Sequence, residues 1–289
     1  MDRLPEVIGF RRCRAGSMAR ETSVSSSAPI GVFDSGVGGL SVVREVRALM
    51  PAEDVIYYAD SAYCPYGTRP PEEILARCLA IAGELVARGA KALILACNTA
   101  CAVALPELRA RLDVPIVGLE PAVKPAAQLT RTQRVAVLAT PLTASSQRLA
   151  NLIRDHAMDV VVRTVPAAGL VELVEAGETD GPIVERALRP LLEPLVASDV
   201  DVVVLGCTHY PFLRAEIERL VGSGVLVVDS GPAIARRTHA VLAERGLSRD
   251  AGVGERGTLS VLTSGDAVRI GALADRLLGL DATAVALQI

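Results

Sequence analysis

From Pro29 onward the chain alternates short apolar runs with longer stretches of helical period, a rhythm that confines it to an α/β architecture with parallel strands. The runs PIGVF, VIYYA, ALILA, PIVGL, RVAVLAT, DVVVR, DVVVLG, VLVVDS and LSVLTS are short and mostly unbroken by polar residues. They predict strands buried on both faces of an open sheet. The helix between VIYYA and ALILA is the most clearly marked. Pro70 and Pro71 stand at its start, Glu72 and Glu73 fill its first turn, and Gly89 closes it. Ile74, Leu75, Cys78, Leu79, Ile81, Ala82 and Leu85 keep helical spacing along it, which makes Cys78 a core residue.

A length of 289 residues, with 51% apolar content, suits two compact halves that each bury a core. Aromatic residues are only 3% and the net charge is −3, so neither a base-stacking platform nor a basic face for nucleic acid is expected. Six cysteines without regular short spacings do not make a disulfide framework, and a reducing cytoplasm is the natural compartment. No apolar stretch reaches the roughly 20 residues that span a bilayer, and the opening segment lacks the apolar region of a signal peptide. Residues 1–28, with Arg11, Arg12, Arg14, Arg20 and SVSSS, read as a disordered tail, with Met18 as an alternative start and Cys13 without a role.

Cys97 in LILACNTAC and Cys207 in VVLGCTHYP occupy matching contexts, each ending an apolar run and each followed by hydroxyl, amide or imidazole side chains. In open α/β sheets ligands bind beyond the carboxyl ends of the strands, so both thiols stand where a substrate would lie. Taken singly, either cysteine is better read as a small core residue. As a pair they point to acid/base chemistry. Asn98 and Thr99 open a helix after Cys97, whose unpaired N–H groups would lower that thiol's pKa. His209, two residues after Cys207, would stabilise a thiolate or accept its proton.

Other constellations compete for function. Asp34-Ser35-Gly36-Val37-Gly38-Gly39 ends the first strand ahead of a helix near Leu40, a turn suited to a carboxylate; its plainer reading is a βα turn capped by Ser35. It has neither the lysine nor the glycine spacing of nucleotide loops. The polar loop Tyr63–Arg69 offers further binding groups. Cys97, Cys101, Cys207 and His209 make a weak Cys3His zinc set, because their spacing is not that of local zinc pairs. The only lysines, Lys91 and Lys124, are poorly placed for a pyridoxal Schiff base. His156 and His239 fall in helical segments away from the strand ends.

DSGVGGLSV, CPYGTR, ACNTA and GCTHYPFL, in this order, resemble the glutamate racemases of the cofactor-independent aspartate/glutamate racemase superfamily over about residues 29–245. The resemblance implies two similar open-sheet α/β domains facing each other across a central cleft, residues 29–122 plus 232–289 forming the first and 123–231 the second. It implies interconversion of L- and D-glutamate for peptidoglycan synthesis without cofactor or metal, by a cytoplasmic homodimer. Cys97 and Cys207 match the catalytic cysteines, with Asp34 on the Cys97 side and His209 and Glu175 on the other. Glu172 competes with Glu175 for its place. Asp34, Ser35, Tyr66, Gly67, Asn98, Thr99, Thr208 and His209 match substrate-binding positions, and Thr140, Thr143 and Ser146 fit the family's second-domain loop.

Two departures stand out: Cys101 replaces a usual serine, and Leu149 a usual aromatic. The competing readings are a racemase for aspartate or another amino acid, a zinc-dependent hydrolase and a non-catalytic binder. His209 favours glutamate, since the superfamily's aspartate enzymes typically carry glutamate at that position.

Overall fold

The computed structural model describes residues 25–250, 252, 254–279 and 283–289; residues 1–24 of the expected tail, Cys13 and Met18 among them, lie outside the described residues. The chain opens with β1 (Ile30–Asp34), α1 (Leu40–Leu49), β2 (Val55–Ala59), α2 (Pro71–Ala87), β3 (Ala92–Leu95), α3 (Asn98–Arg111) and β4 (Ile116–Gly118). A second run follows: α4 (Val123–Leu129), β5 (Arg134–Ala139), α5 (Pro141–Ala144), α6 (Gln147–His156), β6 (Val161–Pro166), α7 (Leu170–Glu175), α8 (Gly181–Val196), β7 (Val202–Leu205), α9 (Arg214–Val221) and β8 (Leu226–Asp229). The chain then returns through α10 (Gly231–Glu244), β9 (Leu259–Thr263), α11 (Ala267–Leu278) and β10 (Ala284–Ala286).

Two wholly parallel sheets result, ordered β10-β9-β2-β1-β3-β4 and β6-β5-β7-β8. Both begin in the middle. From β1 the chain crosses to β2 on one side and later to β3 on the other; from β5 it crosses to β6 and then to β7. The loops leaving β1 and β3, and those leaving β5 and β7, therefore diverge and open a crevice at each sheet's carboxyl edge. Cys97 lies just beyond β3 and Cys207 just beyond β7, at equivalent places in the two sheets.

Burial on both faces explains the unbroken apolar runs. Along β5, Ala136 and Leu138 join the larger core while Val135, Val137 and Ala139 join a smaller one with α4 and α6. Local signals also set α2, which starts at Pro71 with Glu72 and Glu73 in its first turn. Gly89, at φ +86°, supplies the left-handed residue that lets the chain leave it.

Some expectations need correction. Gly39, not Ser35, occupies the N-cap of α1, and no side chain caps it. The matching contexts of the two cysteines diverge in one respect: Cys97 caps α3 directly, whereas Cys207 is followed by a 3-10 turn, Tyr210–Leu213, before α9. The run DVVVR forms an edge strand shifted to Val161–Pro166 and half exposed, and β10 was not marked by any apolar run.

Candidate active site

Asp34 ends β1 with no exposure to solvent. Its Oδ1 accepts the Ser35 N–H at 2.6 Å and the Ser35 hydroxyl at 3.3 Å, while Oδ2 accepts the Thr208 hydroxyl at 2.9 Å from the opposite half. Cys97 forms the N-cap of α3: extended backbone turns its Sγ back to accept the Ala100 N–H at 3.5 Å, and the thiol points at Ser35 Oγ 3.9 Å away. Yet the pKa effect expected of this helix start is reversed. Burial foremost, and then the Asp34 charge, push the Cys97 thiol well up, and one N–H does not offset them. Burial also raises Asp34, against the lowering effects of His209, Thr208, Cys97 and Ser35.

On the facing wall, the two nitrogens of the buried His209 ring have different partners. Nδ1 lies 3.8 Å from Cys207 Sγ, and Nε2 lies 2.8 Å from Glu175 Oε1 at the end of α7. Burial opposes a charge on this ring, but Cys207, Cys64 and Glu175 together hold its pKa well above the ordinary histidine value. Burial likewise opposes the Glu175 charge, while His209 and the Val37 N–H, 2.7 Å from Oε1, bring that carboxyl below its ordinary value. Both shifts favour the charged forms of the pair, imidazolium and carboxylate. Glu172 is exposed, so Glu175 alone of the two acids reaches the ring.

Glycines make this approach possible through missing atoms. A Cβ on Gly38 would lie 2.3 Å from His209 Nδ1, and one on Gly36 would lie 1.9 Å from Glu175 Oε1. The glycine turn after β1 therefore receives the opposite wall, and one of its N–H groups is spent on Glu175.

Thr99, Thr140 and Thr143 join the halves by hydroxyl contacts: Thr99 Oγ1 is 2.9 Å from Thr140 Oγ1 and 3.3 Å from Thr143 Oγ1. Tyr66 is buried, and its hydroxyl donates to Asp60 Oδ2 at 2.5 Å, where Arg77 also binds. Asn98 Oδ1 is buried and has no hydrogen-bond partner among the described residues. Ser146 instead caps α6 through the Leu149 N–H at 3.2 Å, and Leu149 packs into the smaller core.

Cys97 and Cys207 line one cavity together with Asp34, Ser35, Tyr66, Gly67, Asn98, Thr99, Thr140, Thr208 and His209. Thr143 and Glu175 stand behind this lining. Its volume is about 10 Å³, room for a single water. A far larger cavity, about 420 Å³, lies elsewhere, between Arg109, Lys124 and Arg237. The four-residue zinc set is not assembled, because Cys101 Sγ is turned into the core, accepting the Leu119 N–H at 3.1 Å and donating to Leu95 O at 3.3 Å. Lys91 is buried against Glu53, and His156 and His239 are exposed.

Residues 30–238 match the model of the Asp/Glu/Hydantoin racemase family. The chain belongs to that racemase family. A glutamate racemase of Pseudomonas paraeruginosa is 51% identical over 224 residues, covering 77% of this chain and 84% of the relative. Among solved structures, Escherichia coli glutamate racemase in complex with L-glutamate and the activator UDP-MurNAc-Ala is 36% identical, covers 90% of this chain and 98% of its own, and superposes with a TM-score of 0.79. Glutamate racemase of Francisella tularensis in complex with D-glutamate is 26% identical, covers 91% and 98%, and also gives 0.79. Two parallel-sheet α/β domains are thus the racemase fold in this chain.

Within this racemase-family site, sequence reasoning missed Cys64, placed in a polar loop without a role. Its Sγ, a Glu175 oxygen and a His209 nitrogen lie within 4.8 Å of one another. Its place as the first residue of the CPYGTR block was the only signal. The buried Asp60–Arg77 pair that anchors Tyr66 was also missed, because Arg77 interrupts the apolar stripe of α2 and looks like a surface residue.

Proposed function

We propose that this chain interconverts L- and D-glutamate without a cofactor, using Cys97 and Cys207 as the two acid/base groups. The observation carrying this reading is that both thiols line one enclosed cavity from equivalent strand ends of two facing sheets. Support for glutamate comes from relatives that bear that name and from solved neighbours binding each enantiomer.

Inversion at Cα needs a base on one face and an acid on the other. When Cys207 starts as thiolate, its sulfur takes the Cα proton, the C–H bond breaking as S–H forms. Cys97, kept as a thiol by burial and by Asp34, delivers its proton to the opposite face and becomes the thiolate. The reverse reaction exchanges these roles. The Ala100 N–H then faces the new charge on Cys97, and the His209 imidazolium faces the sulfur of Cys207. Asn98 Oδ1, an unpaired acceptor on the cavity, suits the substrate ammonium, while Ser35, Thr99, Thr208 and nearby N–H groups suit its carboxylates. A space for one water holds no amino acid, so the halves part to admit substrate and close around it.

The same family resemblance supports a cytoplasmic homodimer supplying D-glutamate for peptidoglycan. None of the described helices is long and apolar enough to cross a membrane. The test is polarimetry of purified protein with L-glutamate, with chelator present and without pyridoxal phosphate. Optical rotation should decay at constant total glutamate, and should fail to decay with Cys97→Ala or Cys207→Ala. Unchanged rotation with folded wild-type protein contradicts the proposal.

A further inference from the structure

We propose that Cys64, Glu175 and His209 form an inhibitory site for a soft divalent cation, with Zn²⁺ as the fitting ion. Their ligand atoms come from three separate elements, the loop after β2, the end of α7 and the turn after β7, and lie within 4.8 Å of one another. Gly36 permits the convergence: a Cβ there would meet Glu175 Oε1 at 1.9 Å and Cys64 Sγ at 2.9 Å. Glu175 Oε2 is buried with no hydrogen-bond partner among the described residues, leaving an acceptor available to a cation.

Access comes from the side away from the catalytic thiols. A cavity of about 260 Å³ is lined by Ser61, Cys64, Pro65, Glu175 and Arg269 among others, and by neither Cys97 nor Cys207. It provides an entry path and room for water as a fourth ligand. One sulfur, one imidazole nitrogen and one carboxylate oxygen suit Zn²⁺ better than Mg²⁺ or Ca²⁺, which prefer oxygen throughout. Tetrahedral bonds of about 2.0–2.3 Å place ligand atoms roughly 3.5 Å apart, so side-chain shifts on the order of an ångström complete the site. Binding releases the Cys64 thiol proton and the Nε2 proton of the imidazolium.

The consequence for turnover follows from shared residues. With Nε2 on the metal, His209 loses its hydrogen bond with Glu175, and its Nδ1–H stays fixed toward Cys207. Inhibition rests on the proposed racemase activity, whereas metal binding does not. The two are measured separately.

Binding is read on the full chain by equilibrium dialysis with Zn²⁺ and by the thiolate-to-metal charge-transfer absorption of Co²⁺. The expected result is one ion per chain and a charge-transfer band. Cys64→Ala should lose the band and weaken affinity by roughly 10- to 100-fold, at least the loss seen when a metal ligand's supporting partner is removed. Cys101→Ala, whose thiol faces the core, should keep both. Zn²⁺ should inhibit racemisation reversibly by chelator in the wild type and in Cys101→Ala but not in Cys64→Ala. If Cys64→Ala fails to fold, Cys64→Ser serves the same comparison. A band that survives loss of Cys64, or one that disappears only with Cys207→Ala, overturns the site. Metal binding with its predicted mutant pattern, but without any racemisation, would instead count against the proposed activity alone.

Discussion

Glu175 Oε1 lies 2.8 Å from His209 Nε2, and this contact turns the opposite ring nitrogen toward Cys207 Sγ at 3.8 Å. In the proposed mechanism, a carboxylate that reaches neither the Cys97 nor the Cys207 sulfur thereby orients the imidazole beside Cys207, and together with Cys207 and Cys64 it raises the pKa of that ring. Glu175→Gln retains the shape but removes the charge. We expect kcat to fall by about 100-fold, and the alkaline limb of the pH–rate profile to move to lower pH. Steady-state kinetics across pH tests this; an unmoved limb would limit Glu175 to packing.

The same pair gives stability a defined pH dependence. The His209 pKa is raised by folding, so its contribution is full below the ordinary value of 6.5 and lost as pH rises through the folded value. The Glu175 pKa is depressed, so its contribution is full above the ordinary value of 4.5 and lost as pH falls through the folded value. Both are complete between 4.5 and 6.5. The Tm difference between wild type and His209→Asn should be largest in that window and shrink on either side, as differential scanning calorimetry would reveal.

Gly38 is required by close approach, since an added Cβ meets His209 Nδ1 at 2.3 Å and Thr208 Oγ1 at 2.7 Å. Gly38→Ala should displace the imidazole by on the order of an ångström and cost about 100-fold in kcat. Circular dichroism should show the fold retained. Near-normal turnover would mean that His209 need not hold its observed position.

Beneath Tyr66, Arg77 donates to the fully buried Asp60 through Nη2 at 2.7 Å and Nε at 3.0 Å. Arg77→Met strands that carboxylate and should destabilise the protein by about 3–5 kcal/mol. Asp60→Asn combined with Arg77→Met should recover part of the loss. Urea denaturation of the single and double variants measures both.

The strands β1, β3, β5 and β7 were legible because burial on both faces writes itself as an unbroken apolar run, and α2 because proline, acids and glycine mark its ends. Cys97 and Cys207 were visible as polar interruptions at such strand ends. The Cys97 titration was not, since helix position is local while burial and the Asp34 charge depend on the assembled site. Cys64 was missed for the same reason: only folding brings its loop to α7 and His209. Among the described residues the edge strand β10 pairs with β9 alone, leaving little periodic signal in its sequence.

The most direct measurement of the two-cysteine account is the isotopic content of both enantiomers early in the conversion of L-glutamate in D2O. In the proposed mechanism, Cys97 and Cys207 exchange their thiol protons with solvent before substrate enters, and each serves one face of Cα. The D-glutamate formed should carry deuterium at Cα while recovered L-glutamate remains unlabelled. Deuterium entering both enantiomers equally from the first turnovers, or D-glutamate retaining the original proton, would contradict the assignment of one thiol to each face.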